Sequence, residues 1–275
     1  MDVFDQHLHS RHSFDCRTEP RDNVKAAIAA GLQGLTFTEH FDTHPNDWPK
    51  CVYDDEAYST TIRKLREEFG GDIFIGKGIE VCYQPESMDF VLDFLARHQF
   101  DMVMLSVHYF GGVPVHRREH WTGVTVEDGT RRYLENVRDA MQICDGLHRA
   151  RGRVFDVLGH LDVVKRYSKR FAGHHAVSAF GDLIDDILQG ALAAGITPEI
   201  NTSSLRQNLD ETMPNASTIG RYAELGGQAV SLGSDAHRSE DIGAGFDHAA
   251  FSARHAGVTQ VALFREREME RAPLP

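Results

Sequence analysis

Cysteine is scarce and scattered in this chain. Cys16, Cys51, Cys82 and Cys144 form no CxxC pair, which argues against a disulfide framework and against a structural zinc knuckle. Long apolar runs are missing as well: no stretch of about 18 apolar residues is present to span a bilayer. The opening MDVFDQHLHS has no basic start followed by an apolar segment, so no secretory signal is expected and the default location is cytoplasmic. Positive charge is the third shortage. Against 41 acidic residues stand 29 Lys and Arg, a formal charge of −12, so the basic stripe that a nucleic-acid polymer or an anionic membrane needs is not there. A small phosphorylated substrate is still compatible, because divalent cations in one pocket reverse the local field even on an acidic protein. Nothing in the sequence speaks to the oligomeric state.

What is present is a rhythm. Apolar residues make up 41% of 275 positions, enough for a large core, and no linker or internal repeat divides the chain, so residues 1–275 are expected to form a single domain. Short apolar runs suited to strands alternate with segments of helical spacing. The strands read as 3–6, 35–40, 72–81, 101–108, 154–160, 196–201, 228–237 and 259–264. The helices read as 21–30, 56–69, 88–97, 126–150, 181–194, 214–225 and 247–256, several of them stopped by glycine. Alternation of this kind predicts an α/β fold with a parallel sheet, and seven or eight strands predict a barrel. Segments 111–129 and 168–175 read as loops over the barrel mouth, and 266–275 as a frayed tail.

Metal-capable side chains end those apolar runs: His7 and His9, Asp15, His40, Glu80, His108, His160, and Asp235 with His237. Residues two apart in a strand point the same way, which pairs His7 with His9 and Asp235 with His237. In barrels of parallel strands, functional groups gather at the C-terminal strand ends. Six strands each ending in such a group point to one multinuclear metal site. Imidazole and carboxylate without thiolate suit two to three ions of zinc, iron or manganese, and paired ions suit hydrolysis of a phosphate ester. The remaining histidines fall in helices or loops and read as surface residues, with His12 and His44 nearest the motifs. Cys82 reads as a small core residue.

Taken together, HLHSRHSFD, TEHFD, GIEV, SVHYF, GHLD, EINTSSLR and GSDAH resemble the polymerase and histidinol phosphatase (PHP) superfamily over nearly the whole chain. The nearest branch is that of the histidinol-phosphate phosphatases. The resemblance implies a distorted (β/α)7 TIM-like barrel and hydrolysis of a phosphate monoester by a metal-bound hydroxide, in histidine biosynthesis. It further implies that His7, His9, Glu80 and Asp235 hold one ion, that Glu80 bridges to a second held by His108 and His160, and that Asp15, His40 and His237 hold a third. Glu80, Asp235 and His237 would then be the catalytic residues, Asp235 or His237 relaying a proton. The first motif usually continues to Gly where this chain has Cys16.

Arg206 is the candidate phosphate clamp, since a guanidinium binds two phosphate oxygens at once; Lys165 and Arg166 are further substrate-binding candidates. Glu39, Asp42, Glu199 and Asn201 are available to a cationic amine or imidazole, with Glu199 alternatively orienting a ligand histidine. The alternative reading is a PHP phosphoesterase acting on nucleotides or other small phosphate esters. An amidohydrolase is disfavoured because His108 stands where many of those enzymes carry a modified lysine. A non-catalytic scaffold is disfavoured because every ligand position is filled.

Overall fold

A computed structural model describes residues 3–45, 47, 50–173 and 177–275. Strand β1 (Phe4–Leu8) pairs in parallel with β2 (Gly34–Phe41) across helix α1 (Pro20–Ala29), and β2 with β3 (Phe74–Cys82) across α2 (Asp55–Phe69). Next, α3 (Met88–Leu95) leads to β4 (Met102–Ser106), parallel to β3. A small hairpin, β5 (Tyr109–Phe110) and β6 (Val113–Pro114), precedes the long α4 (Val126–Arg151), which returns the chain to β7 (Val157–Leu158) beside β4. Helices α5 (Val164–Phe171) and α6 (Gly181–Ala194) lead to β8 (Thr197–Asn201), and α7 (Ala216–Glu224) to β9 (Ala229–Gly233), each parallel to its predecessor. Finally α8 (Phe246–His255) leads to β10 (Gln260–Arg265), parallel to β9, and β11 (Glu268–Pro273) folds back antiparallel.

Local chemistry sets the helix ends. Pro20 opens α1, where its missing N–H costs nothing. Asp54, Thr125 and Asn215 accept from Ala57, Asp128 and Thr218 N–H to cap α2, α4 and α7. Gly195, left-handed at φ 67°, closes α6.

The nine-stranded sheet curls until its first strand meets the segment after β9. Asp235 N–H donates to His7 O at 2.7 Å and His9 N–H to Ala236 O at 2.9 Å. Lower down, the buried Gln6 amide of β1 donates to Ser231 and to Ala262 O and accepts from Phe264 N–H, tying β1 to β9 and β10. The main core lies between strands and helices. A smaller cluster (Met102, Met104, Val157, Ala229, Ala262 and Phe264) comes from strands alone and fills the inside of the curl. Among the described residues no helix is long and apolar enough to cross a membrane.

Several expectations need correction. The tail is not frayed: Glu266 and Arg267, at φ 49° and 69°, turn the chain into β11. Its alternation was hidden because both faces of β11 are mostly exposed. The expected strand 154–160 is regular only at Val157–Leu158, and the strand 228–237 stops at Gly233. Segment 168–171, read as loop, is the end of α5, and His174 and His175 lie outside the described residues.

Arg267 also anchors the turn, because Nε reaches the wholly buried Asp156 carboxylate at 2.5 Å and Nη2 donates to Val154 O. Arg267→Ala would leave Asp156 with Arg153 alone as cationic partner and should cost about 3 kcal/mol. Urea denaturation checks this; a loss under about 0.5 kcal/mol, the size of an ordinary surface change, would mean that the turn does not hold the tail.

Candidate metal centre

Strand register brings the metal-capable groups together. His40 and Glu80 are direct neighbours on β2 and β3, and both lie near the C-terminal ends of their strands. His7 ends β1 one residue early and His9 follows it, while His108, His160 and Asp235 each stand two residues past β4, β7 and β9. Asp235 does not reach the site by strand alternation with His237. It adopts a left-handed φ of 52°, and its N–H on His7 O turns the carboxylate inward. Asp15 comes from the loop after β1.

Glu80 is the hub. One of its oxygens lies 3.0 Å from His160 Nε2 and 3.3 Å from His108 Nε2. The other lies 3.0 Å from His40 Nδ1 and 3.6 Å from both His7 and His9 Nε2. Asp235 Oδ1 stands 3.8 Å from His7, 3.5 Å from His9 and 3.7 Å from His237. Asp15 Oδ2 stands 3.4 Å from His40 and 3.2 Å from His237. The structure therefore assembles all nine predicted positions. Cys16 takes no glycine conformation; its buried thiol donates to His237 O at 3.1 Å beside the Thr18 hydroxyl at 2.8 Å, which pins the loop carrying His237.

The electrostatics are those of a site built for cations. Burial opposes ionising Glu80, yet the imidazoles of His7, His40 and His108 outweigh it and hold the carboxyl well below its usual range. Asp235, opposed by burial in the same way, is held low by His7, His9 and His237. Burial likewise works against charging His7 and His40, and the surrounding carboxylates raise both well above the ordinary histidine value. His9 goes the other way: burial, then His40 and His237, push it down to about 3.

Hydrogen bonding alone does not satisfy the cluster. Glu80 Oε2 and His40 Nδ1 are buried and 3.0 Å apart but form no hydrogen bond. His7 and His9 face each other Nε2 to Nε2 at 3.3 Å, where two neutral rings would oppose lone pairs. Ring nitrogens and carboxylate oxygens gathered this closely, some of them without a hydrogen-bond partner, suit a divalent metal. Two of these rings are braced from behind by carboxylates. Glu199 Oε1 takes His7 Nδ1 at 2.7 Å, its other oxygen accepting His160 N–H at 2.7 Å, and Asp42 Oδ1 lies 3.4 Å from His108 Nδ1.

The centre floors a cavity of about 520 Å³. Arg166 lines it, bonded to Ser203 Oγ and 3.4 Å from Asp235. Arg206, the expected phosphate clamp, is a correction: it is braced by Ser234 O at 2.7 Å and Asp241 at 3.2 Å and does not line the cavity, its buried Nη1 having no hydrogen-bond partner among the described residues. Lys165 is a correction. Its ammonium is buried and spends its three donors on Thr212 O, Asp162 and Glu211, so it has none for a substrate. Of the acidic candidates Asp42 lines the cavity, whereas Asn201 bonds inward to Glu199 and Ser203. Sequence reasoning missed Asp47, Tyr109, His116, Tyr167, Arg170 and Gln207, all on the cavity wall. A signal existed for one: Arg170 lies four residues after Arg166, one turn along the same helix face.

The PHP domain profile matches residues 5–203. A probable histidinol-phosphatase of Clostridium acetobutylicum is 30% identical over 98% of this chain and all of its own length. The histidinol-phosphatase of Lactococcus lactis is 27% identical over 98% of this chain and 97% of its own. A crystal structure of histidinol phosphate phosphatase from Lactococcus lactis, complexed with zinc, L-histidinol and phosphate, superposes with a TM-score of 0.85 at 26% identity, covering 98% of this chain and 99% of that one.

Gly233 shows how little slack the site has. A Cβ there would stand 2.0 Å from Glu199 Oε1 and 2.4 Å from His7 Cβ. Gly233→Ala should therefore destabilise the fold by about 3 kcal/mol, with chemical denaturation as the check; wild-type stability would mean that Glu199 is not held against His7.

Proposed function

The chain belongs to the PHP domain family, and we propose on that footing that it hydrolyses histidinol phosphate to histidinol and phosphate, as a cytoplasmic enzyme of histidine biosynthesis. The observation that carries the reading is that one cavity joins the metal centre, two arginines and an acidic wall. That is the layout for a substrate with an anionic end and a cationic end.

Zinc, iron or manganese, as two to three ions held by His7, His9, Asp15, His40, Glu80, His108, His160, Asp235 and His237, would polarise the phosphoryl oxygens and activate the attacking water. Glu80, placed between two groups of histidines, would contribute to holding both, with Asp235 and His237 completing the catalytic set. Arg166 and Arg170 supply guanidinium donors to the phosphate from one face of α5. Ser203 and Asp235 hold Arg166 in place, so little side-chain freedom remains to be lost on binding. Arg206, bonded to Ser234 O and Asp241, does not line this cavity and is left out of the phosphate site.

The leaving alcohol carries an amine and an imidazole. Asp42 and Asp47 face the cavity, and the Tyr109 hydroxyl is buried there without a hydrogen-bond partner among the described residues. These groups complement a cationic alcohol. They disfavour nucleotides with a second phosphate, which would meet two carboxylates.

Phosphate release from histidinol phosphate should exceed that from nucleotides and sugar phosphates by about 100-fold or more in kcat/KM, measured with protein reconstituted in turn with manganese, zinc and iron. A flat profile, or a preference for nucleotides, would sink the substrate assignment while keeping the chemistry. Arg166→Ala should lower kcat/KM by about 10- to 100-fold; unchanged steady-state kinetics would remove it from the phosphate site.

A further inference from the structure

Glu39 was a candidate partner for the substrate's cationic end, but it sits in the wrong place for that. Strand alternation turns it away from His40, its neighbour on β2, and it is wholly buried behind the metal centre. Its oxygens accept the Ser10 hydroxyl at 2.5 Å, the Ser10 N–H at 3.1 Å and the Ser13 hydroxyl at 2.6 Å. No Lys or Arg pairs with it among the described residues. Burial pushes its carboxyl up, countered by the two serines and then by His40. A carboxyl buried at that expense, with every contact in one loop, calls for a purpose.

Ser13 supplies it. Its oxygen stands 3.1 Å from His9 Nδ1 and 3.0 Å from the His40 amide nitrogen, as well as 2.6 Å from Glu39. A backbone N–H can only donate, and a carboxylate can only accept. The Ser13 hydrogen therefore goes to Glu39, and the oxygen's lone pairs receive the His40 N–H and the His9 Nδ1–H. That leaves the lone pair of His9 on Nε2, the nitrogen facing His7, Asp235 and Glu80 at 3.3, 3.5 and 3.6 Å.

We propose that Glu39 and Ser13 form a positioning relay, in which the carboxylate orients the Ser13 hydroxyl and the hydroxyl selects the His9 tautomer that offers Nε2 to a metal ion. The same hydroxyl holds the backbone of His40, so one side chain sets the spacing of two ligand-bearing segments. Glu199 braces His7 and Asp42 braces His108 directly; His9 receives equivalent support through one intervening hydroxyl. The relay rests on the reading of His9 as a metal ligand, and it is independent of which phosphate ester is cleaved.

Zinc binding tests it without recourse to turnover. The wild-type chain, Ser13→Ala and Glu39→Gln are stripped with chelator and titrated with zinc, and thermal melting of each before metal addition reports whether it folds. Both variants should melt as folded proteins and bind at least one zinc equivalent about 10- to 100-fold more weakly. Zinc affinity equal to wild type in either folded variant would overturn the relay. Histidine-selective nitrogen NMR of the zinc-loaded wild-type chain keeps the test open should the variants not fold. It should find the His9 proton on Nδ1, and a proton on Nε2 would overturn the relay outright. A wild-type chain that retains no zinc would overturn the metal reading and the relay with it, whereas retained zinc with an unaffected Ser13→Ala removes only the relay.

Discussion

A single buried carboxylate, Glu80, sets the terms for the rest of this molecule. It has no solvent exposure, and its near neighbours are the imidazoles of His7, His9, His40, His108 and His160. A charge in that position is tolerable only with several cationic or metal-bound partners around it. Those partners come from four separate stretches of chain, and Glu80 itself from a fifth. Their convergence requires the parallel register of β1 through β4 and β7, and a one-residue slip in any of these strands would turn its contribution toward the opposite face. The curl of the sheet follows from the same requirement. Asp235 reaches the centre only because the segment after β9 bonds to His7 and Ala236 to His9, which brings the last part of the parallel sheet against the first.

Around the hub the chain distributes its acidity by layer. Glu80, Asp235 and Asp15 meet the imidazoles directly, while Glu199, Asp42 and Glu39 stand behind them and control how the rings are presented. The outer acids matter because imidazole is ambiguous: it offers either nitrogen, and only a bond at the other one decides which. A net charge of −12, which at first only excludes polyanionic partners, thus has a local meaning. Part of that charge lies where divalent cations would offset it, and part, Asp42 and Asp47, lies on the cavity wall.

Much of this was legible in the sequence because the site is carried by strand ends, and strand ends are where an apolar run meets a polar residue. His7, His40, Glu80, His108 and His160 could be placed that way. Asp235 and His237 were identified for a partly wrong reason, since β9 stops at Gly233 and a left-handed residue does the aiming. Substrate contacts were far less readable. Whether Lys165 or Arg166 faces the cavity depends on the rotation of α5, a helix whose two basic neighbours look alike in one dimension; in three dimensions one is enclosed by Asp162 and Glu211 and the other lines the cavity. The tail shows a further limit. β11 has no buried stripe, and its pairing depends on a two-residue turn of Glu266 and Arg267 that neither composition nor periodicity announces.

The enclosure of Lys165 bears on how the phosphate side is organised. An ammonium with all three donors engaged ties α5 to the loop before α7, through Asp162 on one side and Thr212 and Glu211 on the other. The next residue, Arg166, is then delivered to the cavity at a set height and held laterally by Ser203 and Asp235. Asp235 is therefore shared between the histidine cluster and Arg166, the arginine proposed for the phosphate, so that movement at one is felt at the other. Arginine suits this position better than lysine because its planar fork can hold Ser203 and Asp235 at once; its buried Nε has no hydrogen-bond partner among the described residues. The two basic residues that look interchangeable in the sequence thus take different places, the lysine fixing the helix and the arginine lining the cavity.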